Sequence, residues 1–376
     1  MTQVSAMLTN KVLPIDLARI STVPLKGIPI TDPFFDSLRE DYLEFNDWYS
    51  RVSAEGREAW VVDSPSVRLA ALCIFKIEME GEWITDSGKT LDNRFLKLCT
   101  LKVADKGIKY GERLLFAGFN YAVENRLSAI YVQVREGFHE DLVDLLKKHG
   151  FHPEGSYKRD ISYVKRMQPQ KVDSRGWDPL RRLQYDIDFY PYHMDGESVR
   201  KFLITMAQGV HDRLFPDARI QTLAFPLLDR PVIGEAHAIC KALLQGEWMM
   251  SMRPADLLFF YVKGRECHMD CMGIVEDYYL CPKGSQCSDE LAEILPYSKD
   301  TINAMIQRRD LMVIKFRIFQ YFKPITRRKL SEFGFDTNHR SIRRIPEDVY
   351  VRVIKPRLRE FGCSFDSQGG GESCQP

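Results

Sequence analysis

The stretch LKLCTLKVADKGIKYGERLLFAGFNYA, from Leu96, is where residue types and spacing first suggest chemistry. A β-rich run ends at Val103, a short loop holds Gly107 and Gly111, and a helical pattern starts near Tyr110. Amides in the first turn of a helix have no partner within the helix and carry partial positive charge. Glycines let the backbone approach a ligand, so such a start can hold phosphate. Lys106 and Lys109 add positive charge beside it. The chemistry predicted is capture of a diphosphate. The same residues also fit an ordinary strand–helix turn, because short glycine patterns are common. The dinucleotide fingerprint is not met, since the upstream strands look like antiparallel hairpins.

The segment is similar to the acetyl-CoA loop of the GNAT acyltransferase superfamily, whose pattern is a basic residue or Gln, two residues, Gly, one residue, then Gly or Ala. Lys106 matches the first position and Gly111 the last. Leu101-Lys102-Val103 matches the strand whose backbone lies along pantetheine, and HEDLVDLLKKHGF resembles the late helix of that fold, ending in Gly150-Phe151. The resemblance covers about residues 30–167. It implies acetyl-CoA as co-substrate, held by Leu101, Val103, Lys106, Gly107, Ile108, Lys109, Tyr110 and Gly111. Two departures stand out. Lys109 occupies the central Gly position, and the tyrosine many members use to protonate the departing thiolate falls at Leu146. The frequent Asn nearby falls at His139.

N-acetylation, which the resemblance implies, needs a base, because an amine with pKa near 10.4 keeps its proton at neutral pH. It also needs a donor to the thioester oxygen and an acid for the thiolate. Glu78, Glu80 and Asp86 are the candidate bases. Tyr121, Tyr131 and His139 are the candidate acids. Each also has an ordinary packed or solvated explanation.

The second half offers a different chemistry. Between Arg308 and Arg359 there are fifteen Lys/Arg against five Asp/Glu, so 38 Lys/Arg face 47 Asp/Glu elsewhere. Such polarity points to a polyanionic partner. Strand alternation from Leu311 to Phe322 places Lys315, Arg317, Phe319 and Tyr321 on one face, a basic–aromatic surface suited to RNA or DNA, and Arg327 and Arg328 extend it. That face equally fits packing against a neighbouring element. Short motifs spread over about 190–355, including a strand opening at Asp256 and Gly273-Ile274-Val275-Glu276, resemble a PUA-like barrel of the EVE or ASCH kind. The two halves together resemble a bacterial family in which a GNAT domain is fused to such a barrel. The polar triplet His211-Asp212-Arg213 fits either a pocket or a turn cap. Cys267, Cys271, Cys281 and Cys287, with His268, invite a zinc reading, but the cysteines lack the paired spacing of a zinc knuckle, so no metal is expected.

These residues need elements to position them. Apolar spacing predicts a helix from Pro33 to about Val52, a hairpin from Glu58–Val62 and Val67–Ile77, and a strand at Phe95–Val103. A helix at Tyr110–Asn125, a strand at Ser128–Val134, a helix at His139–His149 and a strand at Ile161–Val164 follow. In the second half, strands are predicted at Leu257–Val262, Met272–Tyr279, Leu311–Phe322 and Val349–Ile354. Helices are predicted at Glu197–Gln208, Ala236–Leu244 and Asp289–Leu295. The fold class is α+β, with a GNAT-like mixed sheet (1–168), a linker (169–179), a PUA-like barrel with helices (180–362) and a disordered Gly-rich tail (363–376). With 376 residues, two domains are the natural expectation, and 44% hydrophobic content suffices for two cores. Nine cysteines, several inside apolar runs, read as reduced thiols. No apolar run reaches the roughly 18 residues a membrane span requires, and no secretory signal is visible, so a cytoplasmic protein without a membrane partner is expected. The leading expectation is an acetyl-CoA-dependent N-acetyltransferase with an appended nucleic-acid-binding domain. The alternative is a non-catalytic binding or sensor protein with a degenerate acyltransferase domain.

Overall fold

A computed structural model of the chain describes residues 20–62, 69–104, 110–215, 218, 239–246, 252–264, 267–286, 288–295, 297–338, 342–358 and 362–363. The loop 105–109 therefore lies outside the described residues, as does the predicted tail 363–376 apart from Cys363, which is not disordered but lies in a strand and pairs with Met194.

The first sheet has seven strands: β1 (Ile20–Pro24), β2 (Glu58–Val62), β3 (Ala71–Met79), β4 (Arg94–Val103), β5 (Ala129–Arg135), β6 (His152–Tyr157) and β7 (Asp160–Arg166). Their spatial order is β1-β2-β3-β4-β5-β7-β6. Every neighbouring pair is antiparallel except β4–β5, which is parallel. Alternation along β2 and β3 divides the apolar side chains between two faces. Ala59, Val61, Leu72 and Ile74 meet Phe35, Phe45, Tyr49 and Val52 on one face. On the other, Trp60 and Phe75 stack with ring centroids 4.0 Å apart and pack with Leu114, Leu115 and Phe119 of the helix Tyr110–Glu124.

The single helix predicted from Pro33 is instead a 3-10 turn, Pro33–Phe35, followed by two helices, Asp36–Asp41 and Phe45–Ala54. Asp32 caps the turn by accepting the Phe34 amide at 2.9 Å, and Tyr42 breaks the run with an extended backbone, φ −131° and ψ 100°. The three-and-four spacing survives the break because Phe35, Phe45 and Tyr49 belong to one core cluster.

The second half contains β8 (His193–Met194), β9 (Lys201–Ala207), β10 (Cys240–Gln245), β11 (Leu257–Lys263), β12 (His268–Cys281), β13 (Leu311–Thr326), β14 (Ile342–Arg344) and β15 (Gly362–Cys363). Six of them form a sheet in the order β10-β13-β12-β11-β9-β14, and β15 pairs with β8. A closed barrel was expected. Among the described residues this sheet is open, with β10 and β14 at its edges. Two predicted helices are also corrected. Lys201–Ala207 is a strand buried at six consecutive positions, and Cys240–Gln245 is a strand buried at five. Strands covered on both faces lose the alternation that would identify them. Conversely, the predicted strand Val349–Ile354 is helical, running through a π-helical turn at Tyr350–Ile354.

Side chains join the two sheets. Tyr190 packs against Phe116 and Phe119 from the first half and Phe319 of β13, and its hydroxyl donates to the Phe319 carbonyl at 3.0 Å. Gly150 has φ +77°, and a Cβ there would lie 2.6 Å from the Ile187 carbonyl oxygen, so only glycine admits that segment. Lys165, fully buried, donates to the Ile187 and Asp188 carbonyls at 2.7 and 2.9 Å. At the same junction Arg317 Nη1 donates to His149 Nδ1 at 2.8 Å. That bond places the imidazole proton on Nε2, 3.5 Å from Glu112.

Burial holds the His149 imidazole down at about 4, with Arg317 and Lys148 assisting and Glu112 opposing. The unfolded chain takes a proton below about 6.5, whereas the folded protein resists until about 4. Stability from this group is therefore complete above pH 6.5 and is lost progressively as pH falls from about 6.5 to about 4. His149→Gln keeps an acceptor for Arg317 but cannot titrate. Urea unfolding at pH 7 and pH 4.5 should show wild type losing more stability than this variant, by roughly 2 kcal/mol.

Candidate functional site

The sheet opens between its two parallel strands. β4 and β5 pair at only three positions, Leu96–Ile130, Lys97–Tyr131 and Leu98–Val132. On its other side β4 stays paired with β3 as far as Val103. There the register passes from Ile74–Thr100 to Phe75–Leu98, leaving Cys99 as an extra residue on β4. A bulge of this kind bends its strand and increases the local twist. Beyond Leu98 the edge of β4 facing β5 has no strand partner among the described residues.

The opening is a cavity of about 810 Å³. Leu38, Phe45 and Trp48 line it from one face of the sheet, and Leu142 and Leu145 from the helix Glu140–Lys148. Between them run Cys99 to Val103 of β4, Val132 to Val134 of β5, and Tyr110 and Gly111 at the start of the helix Tyr110–Glu124. Gly111 is packed closely, because a Cβ there would meet Leu145 Cδ2 at 3.0 Å. A second cavity of about 440 Å³ shares Tyr42, Trp48, Leu98, Cys99, Gln133 and Asp160 with the first. The two spaces thus form one cleft, apolar along β4 and charged in the smaller, inner cavity, which opens toward the exposed Arg51 and Glu55 and also holds Arg57, Lys76, Glu78 and Lys97.

Leu101, Val103, Tyr110, Gly111 and His139 line the larger cavity, and Glu78 lines the smaller. Lys106, Gly107, Ile108 and Lys109 lie outside the described residues. His139, with φ +57°, precedes the helix Glu140–Lys148 and sits 3.9 Å from Asp41. Glu78, only 7% exposed, accepts the Tyr131 hydroxyl at 2.5 Å and pairs with Lys76 at 3.1 Å. Burial, reinforced by that hydrogen bond to Glu78, raises the Tyr131 hydroxyl well above its usual 10. Tyr131 itself is buried at 1% exposure beneath the cleft. Glu80 stands exposed in a turn, its amide bound to the Asn93 carbonyl. Asp86 accepts the Lys158 amide at 2.7 Å, away from the cleft. Tyr121 packs edge-on to Trp60 and Phe75, and Leu146 is fully buried.

Three cleft residues escaped the sequence pattern. Tyr42 lies at the helix break and lines both cavities. Burial, then Asp160, raises its hydroxyl above the usual 10, so it stays protonated. Asp160 on β7 pairs with Arg135 at 2.9 Å, and the Arg135 guanidinium lies 5.1 Å from the Tyr42 ring. Gln133 on β5 faces the junction of the two cavities. The sequence reading placed Tyr42 inside one continuous helix, so its position at a break was not legible; Asp160 and Gln133 come from strands whose neighbours are set by long-range pairing.

The predicted basic–aromatic face of β13 is not exposed. Arg317 is 2% exposed, and Phe319 and Tyr321 are each 1%. The β12–β13 register skips Phe319, which breaks simple alternation. Arg317 instead bonds Glu276 at 2.7 Å, His149 and the Lys148 carbonyl. Lys315 is half-buried over the Tyr279 ring. Arg327 and Arg328 are exposed at the end of β13. Cys271 and Cys281 sit ten residues apart on β12, so at about 3.3 Å per residue they cannot share one metal ion.

No family model and no curated protein matches the sequence. Solved structures similar to part of the chain include a GNAT-family acetyltransferase from Listeria monocytogenes, at 17% identity and TM-score 0.30, covering 39% of this chain and 94% of that one. A GNAT-family N-acetyltransferase from Escherichia coli, in complex with CoA, shows 15% identity and TM-score 0.28, covering 42% and 85%. The ASCH protein from Zymomonas mobilis shows 9% identity and TM-score 0.31, covering 42% and 95%.

Burial of Arg317 has a measurable consequence. Removing one partner from a buried ionic cluster leaves the others uncompensated, typically at about 3–5 kcal/mol. Arg317→Ala should lower stability by that amount in urea unfolding, and Lys315→Ala by less than about 1 kcal/mol.

Proposed function

We propose that the first half is an acyl-CoA-dependent N-acyltransferase and that the cleft between β4 and β5 is its active site. The supporting observation is the divergence itself. An extended apolar arm with amide groups, such as pantetheine, can lie along the partnerless edge of β4 from Cys99 to Val103. Its diphosphate end then reaches the helix start at Tyr110, where the helix dipole favours anions. Its thioester end reaches Leu98 and Gln133, where the two cavities meet. The acceptor amine enters from the charged inner cavity.

Within this reading Glu78 removes the proton of the acceptor amine. It is a nearly buried carboxylate lining the inner cavity and oriented by Tyr131. Tyr42 takes the acid role for which Tyr121, Tyr131 and His139 were the sequence candidates, because it lines both cavities and keeps its proton. It donates to the thiolate as the carbon–sulfur bond breaks, and the amine nitrogen forms the new bond to the acyl carbon. The inner cavity bears both charge signs, which suits a polar amine acceptor.

Acetyl-CoA at 100 times its Kd should stabilise the chain by about 2.7 kcal/mol, read as a rise in Tm. Gly111→Trp fills the neck beside Leu145 and should abolish that rise; an undiminished rise in this variant would remove the cleft from CoA binding. Glu78→Gln and Tyr42→Phe should keep the rise but lower kcat roughly 10²–10⁴-fold.

Nucleic-acid binding by the second half now rests on its exposed cations, Arg327 and Arg328, and on the local charge excess. Replacing both with Ala should reduce the slope of log K against log salt for single-stranded RNA by roughly 0.7 per lost phosphate contact. An unchanged slope would take this corner out of any interface.

A further inference from the structure

The second half brings together a set of side chains that the acyltransferase reading does not use. His211, on the helix Gln208–Leu214, points Nε2 at Asp270 Oδ1 across 2.9 Å. Cys271 Sγ approaches the same nitrogen at 3.8 Å. The three donor atoms lie within 4.8 Å of one another, and all three residues are buried, at 2%, 3% and 0% exposure. His268 Nε2 stands 3.4 Å from the other oxygen of Asp270, with its side chain 18% exposed.

Asp270 and Cys271 are neighbours on β12, and simple alternation would send them to opposite faces. The register explains why they converge. Against β11, Cys271 pairs with Phe260 and Met269 with Tyr261, so Asp270 is an extra, bulged residue. Against β13 the same stretch jumps from Tyr321 to Ile325. A bulge re-aims a side chain, and here both carboxylate and thiol end within reach of one imidazole.

A nucleophilic Cys–His–Asp arrangement does not fit. There the carboxylate holds one ring nitrogen and the thiol the other. Here thiol and carboxylate address the same Nε2, while Nδ1 faces Asp212 at 3.9 Å. Several donors converging on one point, with an outer carboxylate beside the remote nitrogen, is instead the pattern of a metal centre. Nitrogen, sulfur and carboxylate donors together suit zinc rather than magnesium or calcium. The spacing of the four cysteines did not reveal this, because only one of them takes part.

We propose that His211, Asp270 and Cys271 bind a zinc-type divalent ion that ties the helix Gln208–Leu214 to the β12 bulge, with His268 holding the second oxygen of Asp270 from the solvent side as an outer partner. Binding releases the thiol proton of Cys271 and the Nε2 proton of His211.

The test uses the full chain, expressed with zinc supplementation and freed of loosely bound ions on a chelating resin. Elemental analysis should find one zinc per chain. After replacement by Co(II), the spectrum should carry a thiolate-to-metal charge-transfer band in the near ultraviolet, and Cys271→Ser should lose it. His268→Ala, at the exposed edge, should weaken Co(II) binding at least tenfold and keep the band. Acetyl-CoA stabilisation serves as the folding control for both variants if it is present in wild type, and far-ultraviolet circular dichroism serves otherwise. Absence of stoichiometric zinc from folded wild type overturns the site. So does Co(II) binding without the charge-transfer band, or with an affinity unaffected by either substitution.

Discussion

Two parallel strands that part company after three paired residues set the terms for the first half of this protein. A strand edge leaves backbone groups that need partners. β4 leaves β5 at Leu98, and the bulge at Cys99 turns it away while β3 keeps the other edge occupied. The gap opens the sheet, so helices on its two faces contribute to one cleft. Gly111 keeps the helix start close to Leu145 at the neck. A ligand that replaces the missing strand would satisfy the backbone and bury apolar surface together.

The second constraint is the junction between the sheets. Arg317 leaves β13 to meet Glu276, His149 and the Lys148 carbonyl, while Glu112 holds Lys148 at 3.1 Å. A guanidinium supplies several donors in a fixed fork, so it can serve partners from different elements at once. Taking these charges out of water is costly, and such clusters are poor sources of net stability. Their geometry is demanding, and here it fixes the end of the helix Glu140–Lys148, which also lines the cleft, against the second sheet.

Both candidate sites sit beside an extra strand residue, Cys99 in β4 and Asp270 in β12. In the first case the extra residue opens space; in the second it turns a side chain. Bulges occur often beside sites because one added residue changes direction without dismantling the sheet. The cleft and the buried cluster lie on different sheets and use different donors, so they are chemically independent.

Local pattern was enough to read much of the first half. The run ending at Val103, the helix from Tyr110 and the helix closed by Gly150 follow from spacing and a terminal glycine. A sequence resemblance, rather than spacing, named Leu101, Val103, Tyr110, Gly111 and His139 before any coordinates placed them in one cavity. What pairing decides was not legible. Lys201–Ala207 and Cys240–Gln245 are apolar runs whose type depends on burial from both sides. Arg317, Phe319 and Tyr321 alternate correctly only in a strand without bulges, and the register of β12 on β13 buries them. Tyr42, Gln133 and Asp160 share a cleft because β5 lies between β4 and β7, an order no neighbouring residues encode. The sequence by itself determined which segments could form helices and strands and where a glycine-bearing helix would start, because those properties are carried by residues within a turn or two. Tertiary structure alone decided which edges stay unpaired, which charges are buried and which donors converge, because these depend on register between segments far apart in the chain.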